Sequence, residues 1–151
     1  MFHIVLWEPE IPPNTGNIAR LCVATGAMLH LVGRLGFRLD NHSLRRAGVD
    51  CWSELQMQQH ATLNEFESSC APMRLYCFTA RGHVPYTSAR YRDGDYLMFG
   101  GESHGLPDSL LQRHAVNTLC IPMPSGKVRS LNLATAVGIV LYEALRQRHN
   151  W

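Results

Sequence analysis

Five short apolar runs, at residues 2–6, 29–32, 75–79, 96–99 and 118–121, punctuate the chain, and segments with helical periodicity stand between them. Two neighbouring parallel strands need a long crossover, usually a helix. Strands covered by helices on both faces read as unbroken apolar runs rather than alternating ones. The pattern therefore predicts an α/β domain with a mostly parallel sheet and helices on both faces. Helices are predicted at residues 14–25, 43–47, 63–69, 107–112 and 131–148. In the first, Ile18, Leu21, Cys22 and Thr25 keep an i, i+3, i+4, i+7 spacing, with Asn14 as N-cap. Asn17 and Arg20 lie well round from that stripe. In the last, Leu133, Val137, Val140, Leu141, Ala144 and Leu145 form one apolar face, where Gly138 and neighbouring alanines let a second helix or subunit come close. With 151 residues and no linker, repeat or low-complexity tract, one domain is expected over 1–151.

Composition excludes more than it selects. Hydrophobic residues at 46% and charged residues at 17% suit a globular protein, and no apolar run approaches the length that spans a bilayer. The N-terminus lacks the basic start and long apolar stretch of a signal peptide, so a cytoplasmic location is expected. Cys22, Cys51, Cys70, Cys77 and Cys120 are odd in number and show no C-x-x-C pairing; buried free thiols are expected. The eight histidines are scattered without H-x-x-x-H spacing or a Cys/His cluster, and no metal is expected. A net charge of +2 is weak for a nucleic-acid binder, yet Lys127 is the only lysine among 14 basic residues. Arginine suits phosphate because its fork donates two parallel hydrogen bonds, though base-composition bias yields the same excess. Charge permits an RNA partner without demanding one.

In open α/β sheets ligands bind beyond the carboxyl ends of the strands. Three loops there carry suitable residues: 8–20, 99–107 and 121–132. The middle one places three glycines around Glu102, and its Gly101-Glu102-Ser103-His104-Gly105 matches the G-x-S-x-G pattern of a hydrolase elbow. Such an enzyme needs an acid and then a histidine after the serine. Asp108 follows too closely, and His114 and His149 lie on or beyond predicted helices, which disfavours a Ser103 hydrolase. Phosphate-binding glycine motifs are absent, and Ser125-Gly126-Lys127 lacks the rest of a P-loop. Ser130 and Asn132 stand at a helix entrance, where they serve either a polar ligand or simple capping.

Taken together, the loops resemble the motifs of the SPOUT class of RNA methyltransferases. Within it the chain is most similar to the small YibK-like group of bacterial tRNA wobble-ribose 2′-O-methyltransferases. The resemblance rests on Asn14-Thr15-Gly16-Asn17-Ile18-Ala19-Arg20, on Gly100 to Pro107, and on Ile121-Pro122-Met123 with Arg129-Ser130-Leu131-Asn132. Leu44-Arg45-Arg46-Ala47-Gly48 and Asp93-Gly94-Asp95-Tyr96 resemble the narrower group. It implies S-adenosylmethionine as cofactor, released as S-adenosylhomocysteine, a C-terminal trefoil knot, and a homodimer built on the first and last helices. The implied substrate is the wobble cytidine or modified uridine of tRNA, leucine tRNAs foremost. The implied catalytic set is Arg20, Glu102, Ser130, Asn132 and Tyr142. Phe78, Thr79, Gly100, Glu102, Ile121, Met123, Ser130 and Leu131 fall at the cofactor, and Asn14, Asn17, Arg45, Arg46 and Arg129 toward the RNA. The chain departs from the family pattern at His104, at Cys51 and around 124–127, positions that bear on tRNA choice. The competing readings are methylation of another tRNA position or of rRNA, and a non-catalytic RNA-binding dimer.

Overall fold

Parallel pairing joins six strands in the order β3-β2-β1-β5-β4-β6 in the computed structural model. The structure describes every residue except Asn41, and of residues 47–51 only the backbone, so the departure at Cys51 and the Ala47-Gly48 end of the Leu44 motif lie outside the described side chains. The strands are β1 (His3–Trp7), β2 (Met28–Val32), β3 (Met57–His60), β4 (Leu75–Phe78), β5 (Tyr96–Gly100) and β6 (Thr118–Leu119). The helices are α1 (Pro12–Thr25), α2 (His42–Gly48), α3 (Leu63–Cys70), α4 (Asp108–Arg113) and α5 (Leu133–His149).

The unbroken apolar runs are explained by two cores. On one face Ile4, Leu6, Leu29, Leu31, Leu97 and Phe99 meet Ile18 and Cys22 of α1 and Val137, Val140 and Leu141 of α5. On the other, Val5, Val32, Cys77 and Met98 meet Phe66 of α3 and Leu110 of α4. Successive side chains point to opposite faces, so the central strands are apolar on both sides, with His3 of β1 and His30 of β2 as the polar exceptions. The partner predicted for the Gly138 side of α5 is α1 of the same chain: a Cβ added at Gly138 would stand 4.0 Å from Leu21 Cδ2.

Three departures from expectation have a clear physical reason. β3 is an unexpected strand, because its Met57-Gln58-Gln59-His60 is polar; it is an edge strand paired to β2, with both glutamines exposed. β6 is two residues long rather than four, because the chain leaves β4 after Leu119. Cys120 turns to the 84–86 segment, donating to the Val84 carbonyl at 2.8 Å and accepting from Tyr86 N at 2.8 Å. α1 begins at Pro12, not Asn14, since prolines occupy its first two positions and carry no N–H to satisfy.

One polar contact anchors the base of β5. Asp95 is buried and takes a two-pronged bond from Arg74 (Nε to Oδ1, 2.6 Å), together with the Arg92 amide at 2.8 Å. Replacing it strands a guanidinium and a backbone donor. Asp95→Ala is expected to lower the unfolding free energy by about 2–4 kcal/mol, measured by urea titration. The nearby Asp93 bridges Met1 N and Arg148 in the open and contributes far less.

Candidate functional site

Because the paired strands are parallel, the carboxyl ends of β1, β5, β4 and β6 share one edge, and the loops predicted to carry chemistry leave from it. The loop after β5 folds back tightly on itself. A Cβ on Gly100 would lie 2.0 Å from the Gly105 carbonyl carbon and 2.3 Å from Leu106 N. Gly105, at φ +66°, donates its N–H to the Gly101 carbonyl at 2.9 Å. A Cβ on Gly101 would strike the Glu8 carbonyl oxygen at 2.3 Å. Only glycine lets these backbones approach so closely.

Glu102, at the tip of that loop, ties it to the first loop. Its carboxylate accepts the N–H of Glu10 (2.7 Å), the N–H of Ile11 (3.1 Å) and Asn14 Nδ2 (3.1 Å). A negative carboxylate at the start of α1 also meets the positive end of the helix dipole. Asn14 is therefore not the N-cap; that position is Ile11, which makes no side-chain cap bond. The Asn14 amide is used across the fold instead, its oxygen accepting Asn132 Nδ2 at 2.9 Å. Asn132 in turn caps α5, accepting the Thr135 N–H at 3.2 Å. One chain of hydrogen bonds, Glu102 to Asn14 to Asn132, thus joins all three loops.

Ser103 is no nucleophile elbow. Its Oγ donates to the Glu10 carboxylate, at 2.6 and 2.7 Å from the two oxygens, and its N–H donates to the same group at 3.0 Å. These bonds hold the Glu10 carboxyl below the usual carboxylate range. A nucleophilic serine needs an imidazole there, and the next helix begins only at Asp108. Glu10 joins the candidate site without any local sequence signal, because its partner Ser103 lies 93 positions away.

Phe78, Gly100 and Ile121 lie at or just past the ends of β4, β5 and β6. Phe78 stacks on Phe99 with centroids 4.8 Å apart, and Ile121 packs against the same core. The Thr79 N–H donates to the Leu119 carbonyl at 3.0 Å, and a turn from Met123 to Gly126 is closed at 3.1 Å. Met123 and Leu131 are half-buried, while Ser130 and Arg129 are exposed. These predicted cofactor residues offer apolar edges and backbone groups, and their one carboxylate, Glu102, is occupied by three donors. Such a donor set fits adenosine and the sulfur-bearing aliphatic chain of S-adenosylmethionine better than phosphates. One surface cavity, ≈ 540 Å³, lies elsewhere, lined by Phe37, Arg38, Arg45 and Gln59 among others; a second, ≈ 450 Å³, touches the predicted cofactor residues at Thr79, and its lining also includes Arg81 and Asp108.

The remaining predicted residues are carried by helices. Asn17 and Arg20 are exposed on α1, and Tyr142 is 49% exposed on the outer side of α5. Arg45 and Arg46 sit on α2, Arg45 with its guanidinium carbon 5.6 Å from the centre of the Trp52 ring.

The cysteine and histidine expectations are met unevenly. Cys22, Cys77 and Cys120 are free and buried, but Cys70 is half-buried. The histidines are not all scattered: His30, His60 and Cys70 bring their donor atoms within 4.8 Å of one another. Adjacent strands, not sequence spacing, create that cluster.

The family model for the SpoU rRNA Methylase family matches residues 1–142. A tRNA (cytidine(34)-2′-O)-methyltransferase of Escherichia coli strain K12 is 47% identical over 148 residues, covering 97% of this chain and 94% of its own. A solved structure that gives structural insights into the 2-OH methylation of C/U34 on tRNA is 48% identical, with a TM-score of 0.95, covering 100% of this chain and 98% of that one. An AdoMet-bound rRNA methyltransferase from Sinorhizobium meliloti is 30% identical with a TM-score of 0.85, over 99% of this chain and 57% of that one.

Proposed function

Since this chain belongs to the SpoU rRNA Methylase family, we propose that it is an S-adenosylmethionine-dependent tRNA methyltransferase acting on the ribose 2′-hydroxyl of wobble nucleotide 34, cytidine or uridine. The observation that carries this reading is the end-to-end likeness, at 48% identity, to a structure concerned with that methylation. Local geometry supports it, because the three loops of the expected site are bonded into one unit through Glu102, Asn14 and Asn132.

The bound cofactor supplies an electrophilic methyl group on a sulfonium. Phe78, Thr79, Gly100, Ile121, Met123, Ser130 and Leu131 hold it through backbone groups and apolar edges. A ribose hydroxyl is a weak nucleophile, so the protein must orient it and stabilise the negative charge that develops on its oxygen. Arg20 is the group for that task. A guanidinium stays protonated, so it acts as a charge-assisted donor to the developing alkoxide, and the proton leaves to phosphate or water. Ser130 orients the ribose, and Asn132 keeps the third loop against the first. Glu102 is a positioning residue: a carboxylate already accepting three hydrogen bonds is poorly placed to take the substrate proton. Asn17, Arg129, Arg45 and Arg46 face the RNA, whose phosphates suit arginine forks.

The same reading extends to a homodimer through α1 and α5, with Tyr142 at or near the interface, and to a C-terminal trefoil knot in a single domain over 1–151. No helix among the described residues is long and apolar enough to cross a membrane, and the enzyme works where tRNA is, in the cytoplasm. Incubation of the pure protein with labelled S-adenosylmethionine and bulk tRNA, followed by nuclease mapping, is expected to place the label on the ribose of nucleotide 34. Label confined to another tRNA position overturns the substrate assignment, as does label taken up by rRNA and not by tRNA when the two are offered together. Binding of tRNA without consumption of the cofactor would leave an RNA-binding dimer.

A further inference from the structure

Four titratable side chains meet beneath α3, on the sheet face away from α1 and α5. His3 on β1, His30 on β2 and His60 on β3 point to that face, and Cys70 ends α3 above them. His3 Nδ1 is 2.9 Å from His30 Nε2, and His30 Nδ1 is 3.1 Å from His60 Nε2. Cys70 Sγ stands 3.8 Å from each of the two nitrogens that face each other, His30 Nδ1 and His60 Nε2. His30 and His60 are 1% and 4% exposed, an unusual depth for two imidazoles in a strand core. We propose that His30, His60 and Cys70 form a binding site for a thiophilic divalent cation, zinc above all, with His3 as the outer partner that orients the His30 ring.

The donor triangle has the dimensions such a cation needs. With metal–nitrogen bonds of about 2.05 Å and a metal–sulfur bond of about 2.3 Å, sides of 3.1, 3.8 and 3.8 Å subtend angles of about 100° between the nitrogens and about 120° from each nitrogen to sulfur. The angles sum to slightly less than a full circle, so the metal sits just above the three donors and keeps a fourth, tetrahedral position open. A simple chain of neutral imidazoles would set the thiol against one ring nitrogen. Here the sulfur lies astride two, as it does around a shared central atom.

The outer contacts are those of a prepared site. A ligating imidazole donates its second N–H to a neighbouring acceptor, and that bond fixes its tautomer. His30 Nε2–H donating to His3 Nδ1 leaves the Nδ1 lone pair aimed at His60 and Cys70. Tyr96 stacks on His3 at 4.1 Å, and Phe66 packs edge-on against His30 at 5.8 Å and His60 at 5.4 Å, so the rings have little freedom to turn. Glu65, near His60, places a negative charge at the rim. Half-buried Cys70, at the exposed end of α3, provides the entry side. The bound cation would pin β3, held in the sheet by β2 alone, and α3 to the centre of the sheet, a structural role separate from methyl transfer.

The test uses the full chain, stripped by a chelator and titrated with cobalt(II), then zinc(II). One cobalt per chain is expected, with tetrahedral d–d bands and a thiolate-to-cobalt charge-transfer band, both abolished by one equivalent of zinc. Zinc at about a hundredfold above its Kd is expected to raise Tm by about 5–10 °C. Cys70→Ser loses the charge-transfer band, and His3→Phe keeps it while weakening affinity by about 10–100-fold. X-ray absorption at the cobalt edge of the unmutated protein counts one sulfur and two imidazoles, so the result survives a variant that fails to fold. A cobalt complex without sulfur, a band that persists in folded Cys70→Ser, or no binding with Tm unchanged overturns the site.

Discussion

Arg20→Ala is expected to reduce methyl transfer to tRNA by about 10²–10³-fold or more in kcat while leaving S-adenosylmethionine affinity unchanged. The side chain is exposed on α1 and belongs to no strand end where the cofactor residues gather. In the proposed role its removal takes away a donor to charge that develops only in the transition state, so the loss is expected on kcat rather than on cofactor binding. Arg20→Lys keeps the charge but loses the planar fork, and an intermediate rate is expected. Calorimetric binding of the cofactor beside single-turnover methylation separates the two effects. Loss of cofactor binding in Arg20→Ala, or activity close to that of the unmutated enzyme, removes Arg20 from the role given to it.

Gly100→Ala is expected to abolish cofactor binding and to destabilise the fold by about 3–5 kcal/mol. The added methyl would overlap the Gly105 carbonyl carbon at 2.0 Å and Leu106 N at 2.3 Å. Both are backbone atoms, so no side chain can swing aside, and the loop must open. Opening it also moves Glu102, and with it the bonds to Glu10, Ile11 and Asn14. Gly105→Ala makes the control. That residue has φ +66° but nothing within 4 Å of its new Cβ, so only backbone strain of about 1–2 kcal/mol is expected. The thermal midpoint of Gly100→Ala should fall about two to three times as far as that of the control. A Gly100→Ala protein with unchanged Tm and affinity would show that the loop is not built as described.

The architecture was legible where local pattern governs. Apolar runs with no alternation required burial on both faces, and the two cores on opposite sides of β1, β4 and β5 supply it. The edge strand β3 escaped because an edge buries little: its glutamines follow solvent, not the sheet. The start of α1 was misplaced because Asn14 has the composition of a cap, and sequence does not reveal that Glu102 covers that end of the helix. At the site, the motif residues of the three loops stood out, while Glu10 did not, since a loop carboxylate has no periodicity to mark it.

The chain by itself determined its class of fold, the three loops that would carry chemistry, and the family those loops resemble, because short-range periodicity and motif order are written within a few residues. Tertiary structure decided which side chains meet. Glu102 reaches Asn14 across 88 positions, and Asn14 reaches Asn132 across 118. His3, His30 and His60 lie about one strand–helix unit apart in sequence, yet parallel strands set them side by side under α3. Such contacts depend on strand order and facing, which local sequence does not encode, and the proposed cation site exists only through them.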